Sequence, residues 1–278
     1  MRQVGKYIFL GALAVAALFP LLFLAVNSFM GAAEFNRYYG QLATGLSGHN
    51  PLRLIPDWIT TEGYRQVFFA RPHYLIRFWN TMLISVSILA GQLIMAVLGG
   101  YAFARFKFPG RSVLFFTIVL IMMMPLQVTM VPQLLVVDAL GINGTYLALI
   151  LPGMFSAFGV FLMRQVISVI PASLFEAAKL DGAGPLKALW LVCVPNCKHG
   201  LAALAVLNFA DSWNMVEQPM VFLRYVFQFP LAAYLIQPNP ARPEVVFTAG
   251  ILSVVPILAL FLWFKDEIAF GIEYSVVR

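Results

Sequence analysis

Between positions 208 and 218 five polar side chains, Asn208, Asp211, Asn214, Glu217 and Gln218, interrupt an otherwise apolar stretch. Steps of three, three and four, with Glu217 beside them, predict that all five lie on one side of a helix. Carboxamides and carboxylates grouped this way can hydrogen-bond a hydroxyl-rich or amine-bearing solute. Acidic groups in an apolar segment are costly and usually face a protein interior or an aqueous cavity, so the stripe is expected to line a solute pathway. The alternative is that these residues join neighbouring helices by hydrogen bonds. Gln127 and Gln133 follow Pro125 and Pro132 and are further pathway candidates. A proline breaks the backbone ladder, and interrupted helices often adjoin transport routes, although an ordinary packing kink would carry the same residues.

Bond-making chemistry has little to stand on. The histidines His49, His73 and His199 are spread over different regions. The cysteines Cys193 and Cys197, even with His199, are too few and too widely spaced for a zinc site. The sequence has no Gly-x-x-x-x-Gly-Lys-Ser/Thr phosphate loop, no His-Glu-x-x-His and no Gly-x-Ser-x-Gly. No catalytic residue, metal or cofactor is therefore expected in this chain. A membrane-embedded enzyme remains the disfavoured alternative.

The elements that position the polar stripe follow from composition. With 61% hydrophobic and 11% charged residues, the solvent for most of the chain is lipid. Apolar runs long enough to cross a bilayer predict six transmembrane helices at about 8–30, 76–103, 112–137, 144–166, 199–223 and 245–265, in a single transmembrane domain over 1–278. Arg2 and Lys6 precede the first run in the manner of a secretory signal, but the run exceeds a signal's apolar length and is expected to be retained. The positive-inside rule then orients the chain. Both termini are expected to be cytoplasmic, with Arg105, Lys107, Arg111, Arg164, Lys179, Lys187, Lys198, Lys265 and Arg278 inside. The segment 31–75, which carries Arg37, Arg53, Arg65 and Arg71, falls outside. Orientation in the bilayer explains the net charge of +6 without nucleic acid. It also predicts reduced thiols at Cys193 and Cys197.

The loop 167–198 between the fourth and fifth spans is built for docking. Pro171 favours a helix start, and Ser173 with Glu176 has the spacing of a capping box. The helix is expected to end near Asp181, because Gly182 can take the left-handed conformation and Gly184-Pro185 breaks the chain before a second helix through 186–194. Ala177 and Ala178 leave one side without bulk, so another protein surface can approach the backbone. A well-capped connector is the alternative.

The spacing of Glu176-Ala177-Ala178, Gly182 and Val192-x-Val194-Pro195 resembles the loop motif of permease subunits of bacterial ATP-binding-cassette importers. Gly100-Tyr101-Ala102-Phe103-Ala104-Arg105-Phe106-Lys107-Phe108-Pro109-Gly110-Arg111, Ala157 to Gln165 and Ser212-Trp213-Asn214 are similar to carbohydrate-uptake permeases, specifically the second permease of the maltose-type transporter. The resemblance covers about residues 55 to 265. It implies an all-α integral membrane protein with the type I importer permease fold, in a bacterial cytoplasmic membrane. It further implies a second homologous permease, two ATPase subunits that bind ATP and Mg, and an external substrate-binding protein as partners. Ser173, Glu176, Ala177, Ala178, Asp181, Gly182 and Pro195 would then form the coupling helix and its loop, seated on the ATPase. A sugar or oligosaccharide is the implied solute; a phosphorylated polyol or an amino acid is the alternative. Glu217 and Gln218 depart from the apolar or aromatic residues more common in the family. The external segment 31–75 and the turn 224–244, with Pro51, Pro56, Pro230, Pro238, Pro240 and Pro243, are expected to meet the binding protein or to be passive loops. The tail 266–278 departs from the family's small-residue ending, so no contact is carried over to it.

Overall fold

A computed structural model describes residues 2–43, 53–70, 73–236 and 243–276, and every regular element among them is helical. In chain order these are α1 (Arg2–Asn27), α2 (Ala32–Ala43), α3 (Glu62–Arg65), α4 (His73–Arg105), α5 (Arg111–Met123), α6 (Leu126–Ala139), α7 (Leu147–Gly153) and α8 (Ala157–Val169). They continue as α9 (Ala172–Leu180), α10 (Pro185–Ala188), α11 (Val194–Asn196), α12 (Lys198–Trp213), α13 (Glu217–Phe222), α14 (Leu231–Leu235) and α15 (Pro243–Val276). His49, Pro51, Arg71, Pro238, Pro240 and Arg278 lie outside the described residues.

Among the described residues, four helical stretches, Val4–Asn27, Tyr74–Arg105, Leu147–Val169 and Val245–Ala269, are long and apolar enough to cross a membrane. The count reaches six when the bent pairs Arg111–Met123 with Leu126–Ala139 and Pro185–Asn196 with Lys198–Trp213 each form one span. The expected third span is interrupted, as its prolines imply, by a bend of 108° between the two helices. Its cause is Pro125, which sits at the N-cap of α6 with ψ 142°, while Met124 ends α5 in extended conformation. Pro132 stays inside α6 without ending it.

The expected fifth span over 199–223 is corrected. Helix α12 stops at Trp213, and α13 starts only at Glu217. Pro219 supplies the reason: it offers no amide to a continuing ladder, and its ring would collide with the carbonyl of Met215. At the break, Asn214 donates both its backbone N–H and its side-chain amide to the Ala210 carbonyl, at 3.1 and 2.8 Å.

The chain divides into two compact units. One comprises Met1–Trp79 and Leu231–Pro256. Its packing centres on Phe247, whose ring meets Phe23, Phe35 and Tyr39 edge-on at 5.8, 5.3 and 5.5 Å. Described residues of the expected external segment are tied together here: Glu34 accepts the Asp57 amide at 2.7 Å, Asp57 pairs with Arg53, and Tyr38 donates to Asp57 at 2.9 Å. Thr60 is tied back by its amide to the Phe29 carbonyl at 2.9 Å. Most of α1 is open on all sides, which suits a lipid-facing helix.

The other unit comprises Asn80–Pro230 and Ile257–Arg278. Its core joins Ala96, Val97 and Tyr101 of α4 to Met163 and Ile167 of α8 and to Leu189, Cys193, Cys197 and Leu204 of the loop and α12. Helices α4 and α8 approach so closely at Gly100 that a Cβ there would lie 2.6 Å from the Met163 Cβ and 2.8 Å from the Arg164 nitrogen. Small residues permit this contact where apolar collapse gives no drive between helices. A second seam is aromatic: Phe103 meets Phe115 at 5.6 Å, Phe115 stacks on Phe161 at 6.0 Å, and the Arg164 guanidinium lies 4.6 Å from the Phe115 centroid.

Candidate functional site

The loop helix α9 is short, sharply bounded and open. Pro171 is its N-cap, with φ −55° and ψ 136°, and no side chain caps the start. The expected capping box is thus corrected. Ser173 lies inside the first turn because Pro171 has already taken the extended capping position, so the Ser173 hydroxyl is not aimed at the free amides.

The far end matches the expectation. Gly182 has φ 78°, the Ala183 amide bonds the Ala178 carbonyl at 2.8 Å, and the Gly182 amide bonds the Lys179 carbonyl at 3.1 Å. These two bonds form a Schellman motif closed by glycine. Gly184 then caps α10, with Pro185 at its first position. Beyond it a π turn, Leu189–Cys193, and α11 lead to Cys197, where the direction changes by 78° into α12. Pro195 sits in α11 and is exposed.

No residue of α9 is buried. Ser173, Glu176, Ala177, Asp181 and Gly182 are all exposed, and Ala178 is half-buried. Leu180 stands 89% exposed at the last turn, with Leu174 and Leu186 also open. A leucine held out of its own core beside alanines and two carboxylates suits a protein surface better than water or lipid. Sequence reasoning passed over Leu180. Its signal was an apolar residue placed directly before the glycine-closed corner, where its own core has no use for it.

The polar stripe does not survive as one face. Asn208 is buried with its Nδ2 unpartnered, whereas Asp211 and Asn214 are exposed on α12. Glu217 and Gln218 begin α13, Glu217 exposed and Gln218 half-buried. The structure instead brings together two residues 90 positions apart: the Gln127 amide donates to both Glu217 carboxylate oxygens, at 3.0 and 3.2 Å. Each stands in the first turn after an interruption, Gln127 in α6 and Glu217 in α13. Gln133 is half-buried farther along α6 and does not join the pair. An exposed Asp211 facing lipid would cost about 3 kcal/mol, so this face of α12 belongs against protein or water. His199 is engaged elsewhere, its Nδ1 at 3.1 Å from the Glu267 carbonyl oxygen.

Comparison with known proteins places the chain in a family. Residues 67–272 match the family described as binding-protein-dependent transport system inner membrane component. The arabinooligosaccharides transport system permease protein AraQ of Halalkalibacterium halodurans is 30% identical over 271 residues, covering 96% of this chain and 93% of that protein. The sn-glycerol-3-phosphate transport system permease protein UgpE of Brucella abortus is 31% identical over 218 residues, covering 76% of this chain and 72% of that one. Among solved structures, a bacterial ABC transporter involved in the import of the acidic polysaccharide alginate is similar with a TM-score of 0.79 and 26% identity, over 95% of each chain. The matched region contains α4 to α13 whole, including the loop helix and both interrupted spans. The chain belongs to the family of binding-protein-dependent transport system inner membrane components.

Proposed function

We propose that this chain is the permease subunit of an ATP-driven importer that carries a neutral sugar or oligosaccharide across a bacterial cytoplasmic membrane. It pairs with a second homologous permease, receives solute from an external binding protein and is driven by two ATPase subunits, which alone bind ATP and Mg. The observation that carries this reading is α9, a helix begun at Pro171, closed by a glycine corner at Gly182 and without a buried residue. Seated in a cytoplasmic ATPase, such a helix transmits displacement, whereas a loose loop would absorb it. ATP-dependent closure of the ATPases would then shift the spans between inward-open and outward-open arrangements. Both termini lie on the same cytoplasmic side as α9.

Ser173, Glu176, Ala177, Ala178, Asp181, Gly182 and Pro195 form the coupling surface and its support, joined by Leu180. Asn208, Asp211, Asn214, Glu217, Gln218, Gln127 and Gln133 are the pathway residues, with the Gln127–Glu217 pair foremost. The named relatives point to carbohydrate and to glycerol phosphate as cargo classes. The carboxylates of Asp211 and Glu217 support the neutral carbohydrate, because a carboxylate repels a phosphate ester or an acidic sugar but accepts hydrogen bonds from neutral hydroxyls. The test is uptake in proteoliposomes of the complete complex, comparing neutral oligosaccharides with glycerol 3-phosphate and an amino acid. ATP-dependent uptake of a neutral sugar supports the reading. Uptake of the phosphate ester alone removes the sugar assignment, and failure of any ATPase to assemble with the chain removes the importer.

A further inference from the structure

The motif from Gly100 to Arg111 is used neither by the docking helix nor by the polar pathway. Tyr101 and Arg105 stand one turn apart on α4, so their side chains share a face. The Arg105 guanidinium donates to the Ile170 carbonyl and, at 3.4 Å, to the Ile167 carbonyl. Ile167 lies in the last turn of α8 and Ile170 is its C-cap, so the cation sits at the negative end of that helix. The same guanidinium lies 3.9 Å from the centroid of Phe175, a residue of α9. Tyr101 packs on Phe175 with centroids 6.1 Å apart, and its hydroxyl donates to the Pro185 carbonyl at 3.2 Å. Helix α4 therefore grips the loop before α9, within α9 and beyond the Gly182 corner. Arg105 Nε is buried without an acceptor, a desolvation cost that an apolar residue filling the same space would avoid.

We propose that Tyr101 and Arg105 are positioning residues that clasp the coupling loop to α4, so that displacement of α9 by the ATPase reaches α4 directly, as well as α8 and α12 through the chain. The inference rests on the reading of α9 as the docking helix. It also explains the residue types. A planar guanidinium can bond carbonyls at its edge while its face covers an aromatic ring, which a lysine ammonium cannot do. The phenol adds one hydroxyl at the distance that Pro185 requires.

The test uses the reconstituted complex of both permeases, ATPases and binding protein, with Arg105→Ala, Arg105→Lys and Tyr101→Phe compared. Solute transported per ATP hydrolysed is measured beside the amount of ATPase that copurifies. The ATPase should remain bound in all three. Transport per ATP should fall about tenfold or more in Arg105→Ala, within the usual range of coupling between sites. It should fall nearly as far in Arg105→Lys, and several-fold in Tyr101→Phe, which keeps the ring and loses only the hydroxyl. A role in packing alone would reduce the yield of complex and leave the ratio per assembled complex at the parental value. That result, or full rescue by lysine, overturns the clasp. Should Arg105→Ala fail to assemble, Tyr101→Phe decides. A complex in which α9 makes no ATPase contact instead removes the docking reading itself, and cross-linking from α9 registers that separately from the ratio.

Discussion

Replacing Gly182 separates the geometry of the corner from the surface it presents. The residue holds φ 78°, and a Cβ built on it meets nothing within 4 Å, so a new side chain strains the backbone without colliding. For an L-residue the left-handed conformation costs about 1–2 kcal/mol. That corresponds to a roughly 5- to 30-fold loss of the closed corner, and with it the bonds from Ala183 to Ala178 and from Gly182 to Lys179. Asn and Asp tolerate this conformation better than other residues, and Val tolerates it poorly. Gly182→Asn should therefore stay near parental uptake. Gly182→Asp should lose transport mainly through the charge it places on the ATPase-facing surface, and Gly182→Val through strain. The assay is uptake in proteoliposomes of the full complex, with membrane insertion and ATPase copurification followed in parallel. All three chains should insert, because α9 is not among the stretches long and apolar enough to cross a membrane. Parental uptake by Gly182→Val would refute the role of the corner, and equal uptake by the Asn and Asp variants would refute the docking surface there.

Gly100→Val should cost about 1–3 kcal/mol or more by overpacking, since the contacted atoms include α8 backbone; the detergent-solubilised chain should melt earlier, while Gly5→Val, at an open position, should not shift it. The double variant Asn214→Leu with Glu217→Leu should raise KM for the sugar about fivefold or more through lost charge-assisted hydrogen bonds, and unaltered kinetics would remove this pathway assignment. Hydrogen bonding from Arg53, then from Tyr38, holds the Asp57 carboxyl below its ordinary value. A lowered folded-state pKa gives stability that is complete above the unfolded value of about 4 and is lost as pH falls through the folded value. Amide protection factors over residues 53–65, corrected for intrinsic exchange at each pH, should thus be constant near neutrality and fall only in acid, and Asp57→Asn should shrink that acid step to the part that Glu62, held low by Arg65 and Gln66, contributes.

Local chemistry made α9 readable from sequence, while distant partners did not. Gly182 and Gly184-Pro185 act on their own backbone, so the end of the helix and the corner follow from residue type alone. Pro125 likewise acts on its neighbour, holding Met124 in extended conformation at the break in the third span. The start of α9 was misjudged because Pro171 and Ser173 competed for one position, and the fixed φ of proline took it. The fifth span carried its own signal in Pro219, which lacks an amide and opposes a carbonyl four residues earlier, but the even spacing of polar residues from Asn208 to Gln218 suggested one face. The contacts of Gln127 with Glu217 and of Arg105 with Phe175 join residues far apart in sequence. No local periodicity encodes them; they appear only when the interrupted spans and the loop pack together.

The central claim, that α9 seats in a cytoplasmic ATPase, is tested most directly by a thiol at position 180. The native Cys193 and Cys197 are buried, so Leu180→Cys supplies an exposed thiol that reagents can address. In the assembled complex this variant should cross-link to the ATPase subunit with a short bifunctional reagent, in a yield that changes when ATP binds, and intact cells should shield it from membrane-impermeant maleimide. Labelling of that thiol from outside the cell, or cross-linking only to the external binding protein, would contradict the claim.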